Sequence, residues 1–244
     1  MKTFITSQTA TPFAHASPLQ KVSDIPIYEV RNSIPVYKKA APLVSPLSSK
    51  WNLILKRSLD IMVSLFLIIF LLSWLTPLLA IIIKLDSRGP VFFRQRRNKN
   101  LGKVFGCIKF RTMIVNPDAD ILSARENDKR ITHIGAFLRK HHLDELPQLF
   151  NVVFGDMSII GPRPHMVAEN TKFENLVDEY ASRHSILPGI TGLAQSYGNF
   201  GSTHDIEKIK QRVELDLYYI REWSLLLDIK VLIRTTRLLF GRKI

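Results

Sequence analysis

The chain has 244 residues, of which 46% are apolar, and its 34 Lys and Arg residues outnumber 21 Asp and Glu residues to give a formal net charge of +13. That length and apolar content allow one sizeable folded domain with appendages, and so basic a chain is expected to bind an acidic partner: nucleic acid, anionic lipid or a phosphorylated small molecule. Cys107 is the only cysteine, which excludes an internal disulfide and is compatible with a reducing, cytosol-facing location.

Residues 1–50 contain no long apolar stretch and therefore resemble no signal peptide. They are rich in Ser and Thr, and prolines recur at Pro12, Pro18, Pro26, Pro35, Pro42 and Pro46. Segments of this composition bury too little apolar surface to order themselves. We interpret residues 1–50 as a flexible polar arm. A regulatory or partner-binding role and a plain, poorly ordered tail both stay open.

An uncharged apolar run, Ile61–Ile83, follows the arm and reads IMVSLFLIIFLLSWLTPLLAIII. As a helix rising about 1.5 Å per residue, it is long enough to cross the hydrocarbon core of a membrane. Soluble helices are rarely apolar on every face, so the run predicts insertion into a membrane. We place the membrane element at residues 51–86.

The flanks and the proline of this run bear on its topology. Lys56 and Arg57 precede the run and Lys84 follows it, and basic flanks prefer the cytoplasm. Pro77 lacks a backbone N–H and kinks a helix, while the Thr76 hydroxyl can satisfy a carbonyl that the proline frees. A re-entrant helix broken at Thr76–Pro77 would keep both flanks on one side of the membrane. An ordinary kinked span stays open as the alternative.

The rest of the chain alternates between short extended pieces, helices and loops. Residues 102–113 partly alternate in polarity, which predicts a strand or an extended segment, and residues 134–142 have apolar side chains at helical spacing. Leu143–Gln148 is typical of a helix start. From Asp205 onward the apolar spacing predicts a long amphipathic helix. Leu225–Ile244 predicts a basic amphipathic helix that suits either a membrane surface or the protein core.

Familiar phosphate-loop, dinucleotide-binding and zinc motifs are absent, as is a recognisable DNA-binding module. What remains is an adjacent acidic pair with basic residues in neighbouring segments. A site for a pyrophosphate needs cations and a divalent metal held by one or two carboxylates, and an aspartate can attack a phosphoryl group to form an acyl phosphate. The residues of these types are Asp144, Glu145, Lys109, Arg111, Arg139 and Arg163. The alternative is a pair that only caps a helix.

Ordered blocks of sequence connect these residues. The first block runs from Lys56-Arg57-x-x-Asp60 through the apolar run to KLDSRGPVFFRQRR, and the second is KFRTM. The third is RITHIGAFLRKHHLDELPQLFNVVFGDMSIIGPRP, and the fourth is LPGITGLAQ followed by DLYYIREWSLLLDIKVLIRT. Together, over residues 51–240, they resemble the bacterial sugar transferase family, the monotopic polyprenyl-phosphate phosphoglycosyl transferases.

The resemblance implies an α/β fold, mostly helical, in a monotopic membrane protein with a re-entrant helix-break-helix and amphipathic interfacial helices. Residues 87–244 would form the cytosolic catalytic domain. The helix in this family usually breaks at Ser-Pro, and Thr76–Pro77 stands at that place here.

The resemblance also implies roles for the acidic pair and the cations. Asp144 would attack the phosphate next to the sugar of a nucleotide sugar, and polyprenyl phosphate would then attack the sugar-phosphoryl enzyme. Glu145 would bind Mg²⁺. The residues expected to bind the phosphates and the nucleotide are Lys109, Arg111, Arg139 and Arg163. His165 is expected either to contact the substrate or to make only a structural hydrogen bond.

The blocks from Gly161 onward most resemble the branch that moves glucose 1-phosphate or galactose 1-phosphate from a UDP-sugar to undecaprenyl phosphate, at the start of exopolysaccharide or capsule synthesis. That branch often carries N-terminal transmembrane helices, where this chain has its polar arm. The implied location is the cytoplasmic face of a bacterial inner membrane. The expected partners are the UDP-sugar, undecaprenyl phosphate and anionic lipid, without nucleic acid.

Alternatives remain at this point. The donor sugar and the pathway stay open, and so does a homo-oligomeric state. An N-acetylhexosamine or a modified amino sugar is the alternative donor. A non-catalytic membrane scaffold of polysaccharide assembly and a basic protein that binds nucleic acid are the alternatives of other classes.

Overall fold

The structure is a computed structural model that describes residues 43–120, 122–124, 128–198, 205–239 and 241. Residues 1–42, which are most of the predicted polar arm, lie outside the described residues, as do the last residues of the predicted C-terminal helix. Helices predominate in the described part, beside two small β-sheets. The predicted mostly helical α/β class is therefore confirmed.

The membrane element is a helix of 37 residues that runs from Lys50 to Asp86. Helix α1 (Lys50–Leu67) passes through a π-helical segment (Ile68–Leu72) into helix α2 (Ser73–Asp86). The helix is long and apolar enough to cross a membrane, and only 17% of its most apolar 18-residue window is buried. The core helix of a soluble protein would bury most of such a window, so this helix indicates association with a membrane.

The helix departs from α geometry before the predicted break, not at it. Thr76 and Pro77 both lie inside α2, and the wide turn is the π-helical segment upstream. Pro77 cannot donate to the carbonyl of Ser73 and its ring crowds that carbonyl, which distorts a helix in the turn before a proline. The Ser73 hydroxyl donates to the carbonyl of Ile69 at 2.5 Å, which pairs one backbone group of the widened turn. The structure thus has a π-helical segment upstream of Thr76–Pro77, and the predicted break at Thr76–Pro77 stays a prediction.

Polar side chains anchor both ends of the membrane helix to the folded domain. At the first end, Lys56 Nζ lies 2.9 Å from Asp228 Oδ2, and Asp60 accepts a hydrogen bond of 2.6 Å from the hydroxyl of Ser158. At the far end, Asp86 accepts a hydrogen bond of 3.1 Å from the backbone N–H of Ile134. Both ends are therefore held by one domain.

That domain begins with an antiparallel hairpin and continues through a parallel pair of strands. Strands β1 (Phe92–Asn98) and β2 (Val104–Phe110) form the hairpin. Strands β3 (Ser158–Ile160) and β4 (Gly189–Thr191) lie parallel. The helices beyond the membrane element are α3 (His133–Lys140), α4 (Gln148–Phe154), α5 (Val167–Leu176), α6 (Leu193–Ser196), α7 (Ile206–Arg221) and α8 (Leu225–Leu239).

Three apolar clusters hold these elements together, and the smallest packs Phe105 and Cys107 of β2 against Val152 of α4. In the first, the membrane helix packs Leu72 and Ile83 against Phe110 of β2 and Leu138 of α3. In the second, α7 buries the apolar stripe that its sequence predicts, and the cluster joins it to β3 and α8; its buried members include Ile160, Ile209, Val213, Leu217, Ile220 and Val231. Leu143 and Leu146, on either side of the acidic pair, pack against the first cluster.

Helix α8 has one face in the protein core and an apolar face on the surface. Val231 is fully buried in the core. Leu226 is 68% exposed, and Ile229 and Ile233 are about half exposed on other faces. One side of α8 therefore belongs to the protein core, and an apolar stripe remains on the surface, as in helices that lie in a membrane interface.

Candidate active site

The acidic pair lies in a 3₁₀ turn, Leu143–Glu145, between α3 and α4. His142 just before it takes the left-handed conformation, with φ of 55°, which ends α3 and turns the chain. Helix α4 starts only at Gln148. Among the described residues, no backbone N–H donates to the Asp144 carboxylate. The alternative that the pair only caps a helix is therefore wrong, and both carboxylates are available for contacts with other groups.

Glu145 is clamped by two cations. Arg163 donates two hydrogen bonds to the Glu145 carboxylate, from Nη2 to Oε1 at 2.6 Å and from Nη1 to Oε2 at 3.1 Å. Lys109 Nζ donates a third, to Oε1 at 2.8 Å. Burial by itself would raise the pKa of Glu145, but the charges and hydrogen bonds of Arg163 and Lys109 outweigh it and hold the pKa well below its usual range. Glu145 is therefore ionised at neutral pH and held by two cations.

Asp144 differs from its neighbour in environment and in basicity. Its side chain is buried, and burial raises its pKa above the usual value, with the charge of Glu145 acting in the same direction. Lys109 and Arg139 oppose this rise. The guanidinium of Arg139 is positioned by a hydrogen bond of 2.7 Å from Nε to the Thr112 hydroxyl. A buried carboxylate without a backbone partner, surrounded by cations, is suited to attack an electrophile that carries negative charge.

The pair opens into a cavity of about 790 Å³, within the usual size range for a small-molecule site. Cationic side chains line it from several elements: Arg97, Lys109, Arg111, Arg139, Arg163 and Arg212. The acidic residues in the same lining are fewer: Asp144, Glu145 and Glu169. Such a wall predicts an anionic ligand, and several cations around one carboxylate suit a ligand with more than one phosphate.

Arg111 lies in the cavity wall, but its guanidinium serves the backbone. It donates to the carbonyls of Arg88 at 2.6 Å and Ser87 at 2.7 Å, and more distantly to that of Ile83 at 3.3 Å. Ser87 and Arg88 directly follow α2, and the Ile83 carbonyl in its last turn also accepts from the backbone N–H of Ser87. The structure thus gives Arg111 a capping role at the exit of the membrane helix, and its predicted contact with phosphate stays a prediction.

His165 is buried in a network of hydrogen bonds. Its Nε2 lies 3.0 Å from Arg212 Nη1 and its Nδ1 lies 2.6 Å from the Tyr180 hydroxyl. Nδ1 also lies 2.9 Å from Arg183 Nη1, so both ring nitrogens face arginine side chains, which can only donate. Burial and the charges of Arg183, Arg212 and other arginines hold the pKa of His165 well below its usual range, so the ring is neutral. These contacts match the expected structural hydrogen bond, and the contact with substrate stays a prediction.

Sequence reasoning missed the buried charges behind His165. Arg183 Nη2 and Asp216 Oδ2 form a fully buried ion pair of 2.6 Å, and Arg212 lies one helical turn before Asp216 on α7. A signal was present: both α7 residues interrupt the apolar stripe of an otherwise regular amphipathic helix. Charges at such positions indicate a buried network rather than a solvated face.

Glu145 fits one position of a magnesium site. No group of three or more His, Cys, Asp or Glu side chains is placed to hold a metal ion within the described ranges. Glu145 Oε1 already accepts from Lys109 and Arg163, but Oε2 accepts only from Arg163 and keeps one acceptor position. Because Mg²⁺ is commonly bound through one or two carboxylates and the phosphates of a substrate, this single position is compatible with it.

The chain is similar to several known proteins. A model of the bacterial sugar transferase family matches residues 51–242. A UDP-glucose:undecaprenyl-phosphate glucose-1-phosphate transferase of Klebsiella pneumoniae is 45% identical over 205 residues, which are 84% of this chain and 43% of that protein. The exopolysaccharide production protein PSS of Rhizobium leguminosarum is 42% identical over 189 residues, 75% of this chain and 94% of that protein.

A third relative transfers a different sugar. A UDP-N-acetylgalactosamine-undecaprenyl-phosphate N-acetylgalactosaminephosphotransferase of Aeromonas hydrophila is 40% identical over 184 residues, 75% of this chain and 43% of that protein. The chain thus spans less than half the length of the Klebsiella and Aeromonas relatives.

Proposed function

Because the chain belongs to the bacterial sugar transferase family, we propose that it transfers a hexose 1-phosphate from a UDP-sugar to undecaprenyl phosphate and releases UMP. The observation that carries the proposal is the contrast within the acidic pair. Asp144 has a raised pKa and accepts no backbone hydrogen bond, whereas Glu145 is ion-paired with two cations, and both line a cavity rich in arginines. The proposed donor sugar is glucose or galactose, and the name of the Klebsiella relative supports glucose.

The reaction proceeds in two displacements at one phosphorus. In the first, an Asp144 carboxylate oxygen bonds to the phosphorus next to the sugar, the bond from that phosphorus to the bridging oxygen breaks, and UMP leaves with the electron pair. In the second, a phosphate oxygen of undecaprenyl phosphate attacks the same phosphorus and Asp144 leaves as a carboxylate. The raised pKa of Asp144 makes it a better nucleophile than an exposed carboxylate.

The cations around the pair stabilise the charge that builds up on the phosphate oxygens. Lys109, Arg139 and Arg163 surround Asp144 and are fixed by contacts before any ligand arrives, which is the arrangement that stabilises a charged transition state most effectively. Glu145 Oε2 would hold Mg²⁺, which when bound neutralises pyrophosphate oxygens. Removal of the metal with EDTA is therefore expected to stop UMP release.

The proposed location is the cytoplasmic face of a bacterial inner membrane, with the membrane helix re-entrant and α8 in the interface. Supporting this, both ends of the membrane helix contact one domain, and α8 exposes apolar residues near basic ones that suit anionic lipid. The proposed pathway is the initiation of exopolysaccharide or capsule repeat units, as the name of the Rhizobium relative suggests.

The topology predicts which residues face the cytoplasm. Trp51 and Leu85, at opposite ends of the membrane helix, are 81% and 83% exposed. In a re-entrant helix, Trp51→Cys and Leu85→Cys should both react with an impermeant maleimide in inside-out vesicles and neither in intact spheroplasts. The native Cys107 is fully buried and provides an unreactive background. Labelling of the two positions from opposite sides would establish an ordinary span instead.

The test of the reaction is UMP release by purified protein with undecaprenyl phosphate, Mg²⁺ and a panel of UDP-sugars. Carrier-dependent release from UDP-glucose or UDP-galactose is the expected result. Release only from UDP-N-acetylhexosamines would select the alternative donor class, which the Aeromonas relative makes worth including. No release from any donor, by folded protein, would favour a membrane scaffold.

The charge of Arg139 is expected to affect how activity depends on pH. Asp144 must be ionised to attack, so activity falls as the pH drops through its pKa, and the charge of Arg139 lowers that pKa. Arg139→Met should therefore raise the pKa and move the acid limb of the kcat profile upward by about one pH unit. Arg139→Lys, which keeps the charge, should move it less, and Lys140→Met, outside the cavity, should leave it in place. An unmoved limb in Arg139→Met would refute the assigned role.

A further inference from the structure

The carboxyl ends of the parallel strands β3 and β4 bring two loops together in the cavity wall. Parallel strands end at the same edge of a sheet, so the Gly161–Pro164 loop after β3 meets α6 after β4. The Gly161 N–H donates to the Thr191 carbonyl at 2.9 Å, and the Gly189 N–H donates to the Pro162 carbonyl at 3.0 Å. Such edges are frequent ligand sites in proteins with parallel strands.

Three uncharged polar side chains line the cavity here: Thr191, Gln195 and Thr235, called the neutral patch below. They come from β4, α6 and α8. The hydroxyls of Thr191 and Thr235 lie 2.8 Å apart. Only one of them supplies the proton of that hydrogen bond, so the other retains a proton for a further acceptor.

Gln195 contributes an acceptor that the protein itself leaves unused. Its side chain is 2% exposed, and its Nε2 donates to the carbonyl of Ile190 at 3.0 Å. That bond fixes the orientation of the amide, because the flipped amide would place two oxygens against each other. Oε1 has no hydrogen-bond partner. Buried acceptors are rarely left unpaired, so one in the wall of a cavity points to a ligand that donates.

The neutral patch differs chemically from the cationic wall around the acidic pair. The arginines and Lys109 offer only charged donors, which suit phosphate oxygens. The neutral patch offers one fixed acceptor together with hydroxyls that donate and accept, which suits a ligand whose groups do both. The hydroxyls of a sugar have that property. The patch also lies next to the loop that carries Arg163. The Thr191 carbonyl accepts a hydrogen bond from the N–H of Gly161, which is in that loop.

We propose that the neutral patch is the subsite for the sugar of the nucleotide-sugar donor, with Gln195 Oε1 accepting a hydrogen bond from a sugar hydroxyl. This subsite rests on the proposed function, because it assigns a role to the sugar of that donor. It places recognition of the sugar on β4, α6 and α8, which are not the elements that carry Lys109, Arg139 and Arg163.

The experiment measures equilibrium binding of UDP and of a UDP-sugar to full-length Asp144→Asn protein, which cannot turn the donor over. The UDP-sugar is the one that Asp144→Asn binds best among UDP-glucose, UDP-galactose and UDP-N-acetylglucosamine. Gln195→Leu in this background should weaken the UDP-sugar about 10-fold, the usual effect of one hydrogen bond to a buried group, and change UDP by less than about 2-fold. Thr235→Val should weaken the UDP-sugar about 3-fold.

Ser196→Ala is the matched control. Ser196 is buried beside Gln195 in α6, and its hydroxyl donates to the carbonyl of Leu193 at 2.8 Å rather than lining the cavity. It should bind both ligands as the parent does, and thermal unfolding confirms that each variant is folded. If Gln195→Leu does not fold, Thr235→Val alone decides.

Several outcomes would overturn the subsite. Equal weakening of UDP and UDP-sugar would show that the patch contacts the nucleoside diphosphate, and no weakening of either would show that it contacts neither. Failure of the proposed reaction looks different: the UDP-sugar would bind through Gln195, yet the protein with Asp144 intact would release no UMP. That result would support the subsite and refute the transfer.

Discussion

Asp144→Asn is expected to lower carrier-dependent UMP release by at least about 10³-fold, the scale of losing a nucleophile. An amide is nearly isosteric with the carboxylate but does not attack phosphorus. The side chain makes no backbone hydrogen bond whose loss would disturb the turn Leu143–Glu145. The measurement is the initial rate of UMP release at saturating UDP-sugar and undecaprenyl phosphate.

Two further variants make this result specific. Asp144→Ala excludes slow recovery of activity by deamidation of the asparagine. Asp156→Asn is the control, because Asp156 pairs with Lys99 at 2.6 Å outside the cavity, and it should retain the parent rate. If both variants at position 144 kept more than about a tenth of the rate, Asp144 would be excluded as the nucleophile.

Arg163→Met is expected to lower activity by at least about 10²-fold and the free energy of unfolding by about 2 kcal/mol. The variant removes a bidentate partner from Glu145, which is then left with Lys109 alone. A buried carboxylate that loses a hydrogen-bonded cation lowers the free energy of unfolding. Arg163→Lys should recover only part of both effects, since lysine lacks the planar fork.

The double variant Arg163→Met with Glu145→Gln separates the two effects. Removal of the charge that Arg163 compensates should restore most of the stability but none of the activity. Lys99→Met is the control for loss of an ion pair at a part-exposed site, and it should change activity little. Near-parent activity in Arg163→Met would remove Arg163 from the site. A double variant no more stable than Arg163→Met would refute the clamp on Glu145.

The sequence was sufficient for the parts of the site that depend on local pattern. The apolar run gives the membrane helix, and the alternating residues before Met113 give β2, which carries Lys109. The resemblance to the family selects Asp144 and Glu145 out of an otherwise weak acidic pattern. The structure then brings Lys109 and Arg163 onto the same carboxylate, as their assignment to one site predicts.

Features that arise only from the path of the backbone could not be predicted in this way. Arg111 looks like any cation beside Lys109 until the end of α2 is placed against its guanidinium. His165 stands next to the Pro-Arg-Pro motif, yet its ring is sequestered by Arg212 and Tyr180 from other elements. Pro77 predicts a distorted helix, but the sequence does not show that the π-helical segment lies upstream at Ile68–Leu72.

The glycines of the two loops show the same limit. The sequence marks them only as turn residues. In the structure a Cβ on Gly189 would lie 2.1 Å from the Gly161 nitrogen, and one on Gly192 would lie 2.2 Å from the Gly161 carbonyl oxygen. Glycine is therefore required for the close approach of the loops after β3 and β4. That approach puts the neutral patch beside Arg163.

The central claim is that Asp144 carries the sugar phosphate between donor and acceptor, and its most direct test omits the acceptor. Protein incubated with the UDP-sugar and Mg²⁺ alone should release about one UMP per chain and then stop, and its peptide containing Asp144 should gain the mass of a hexose phosphate. Addition of undecaprenyl phosphate should discharge that peptide and restart release. Transfer that proceeds only with both substrates present, with no UMP burst and no modified peptide, would contradict the covalent intermediate and establish a direct displacement.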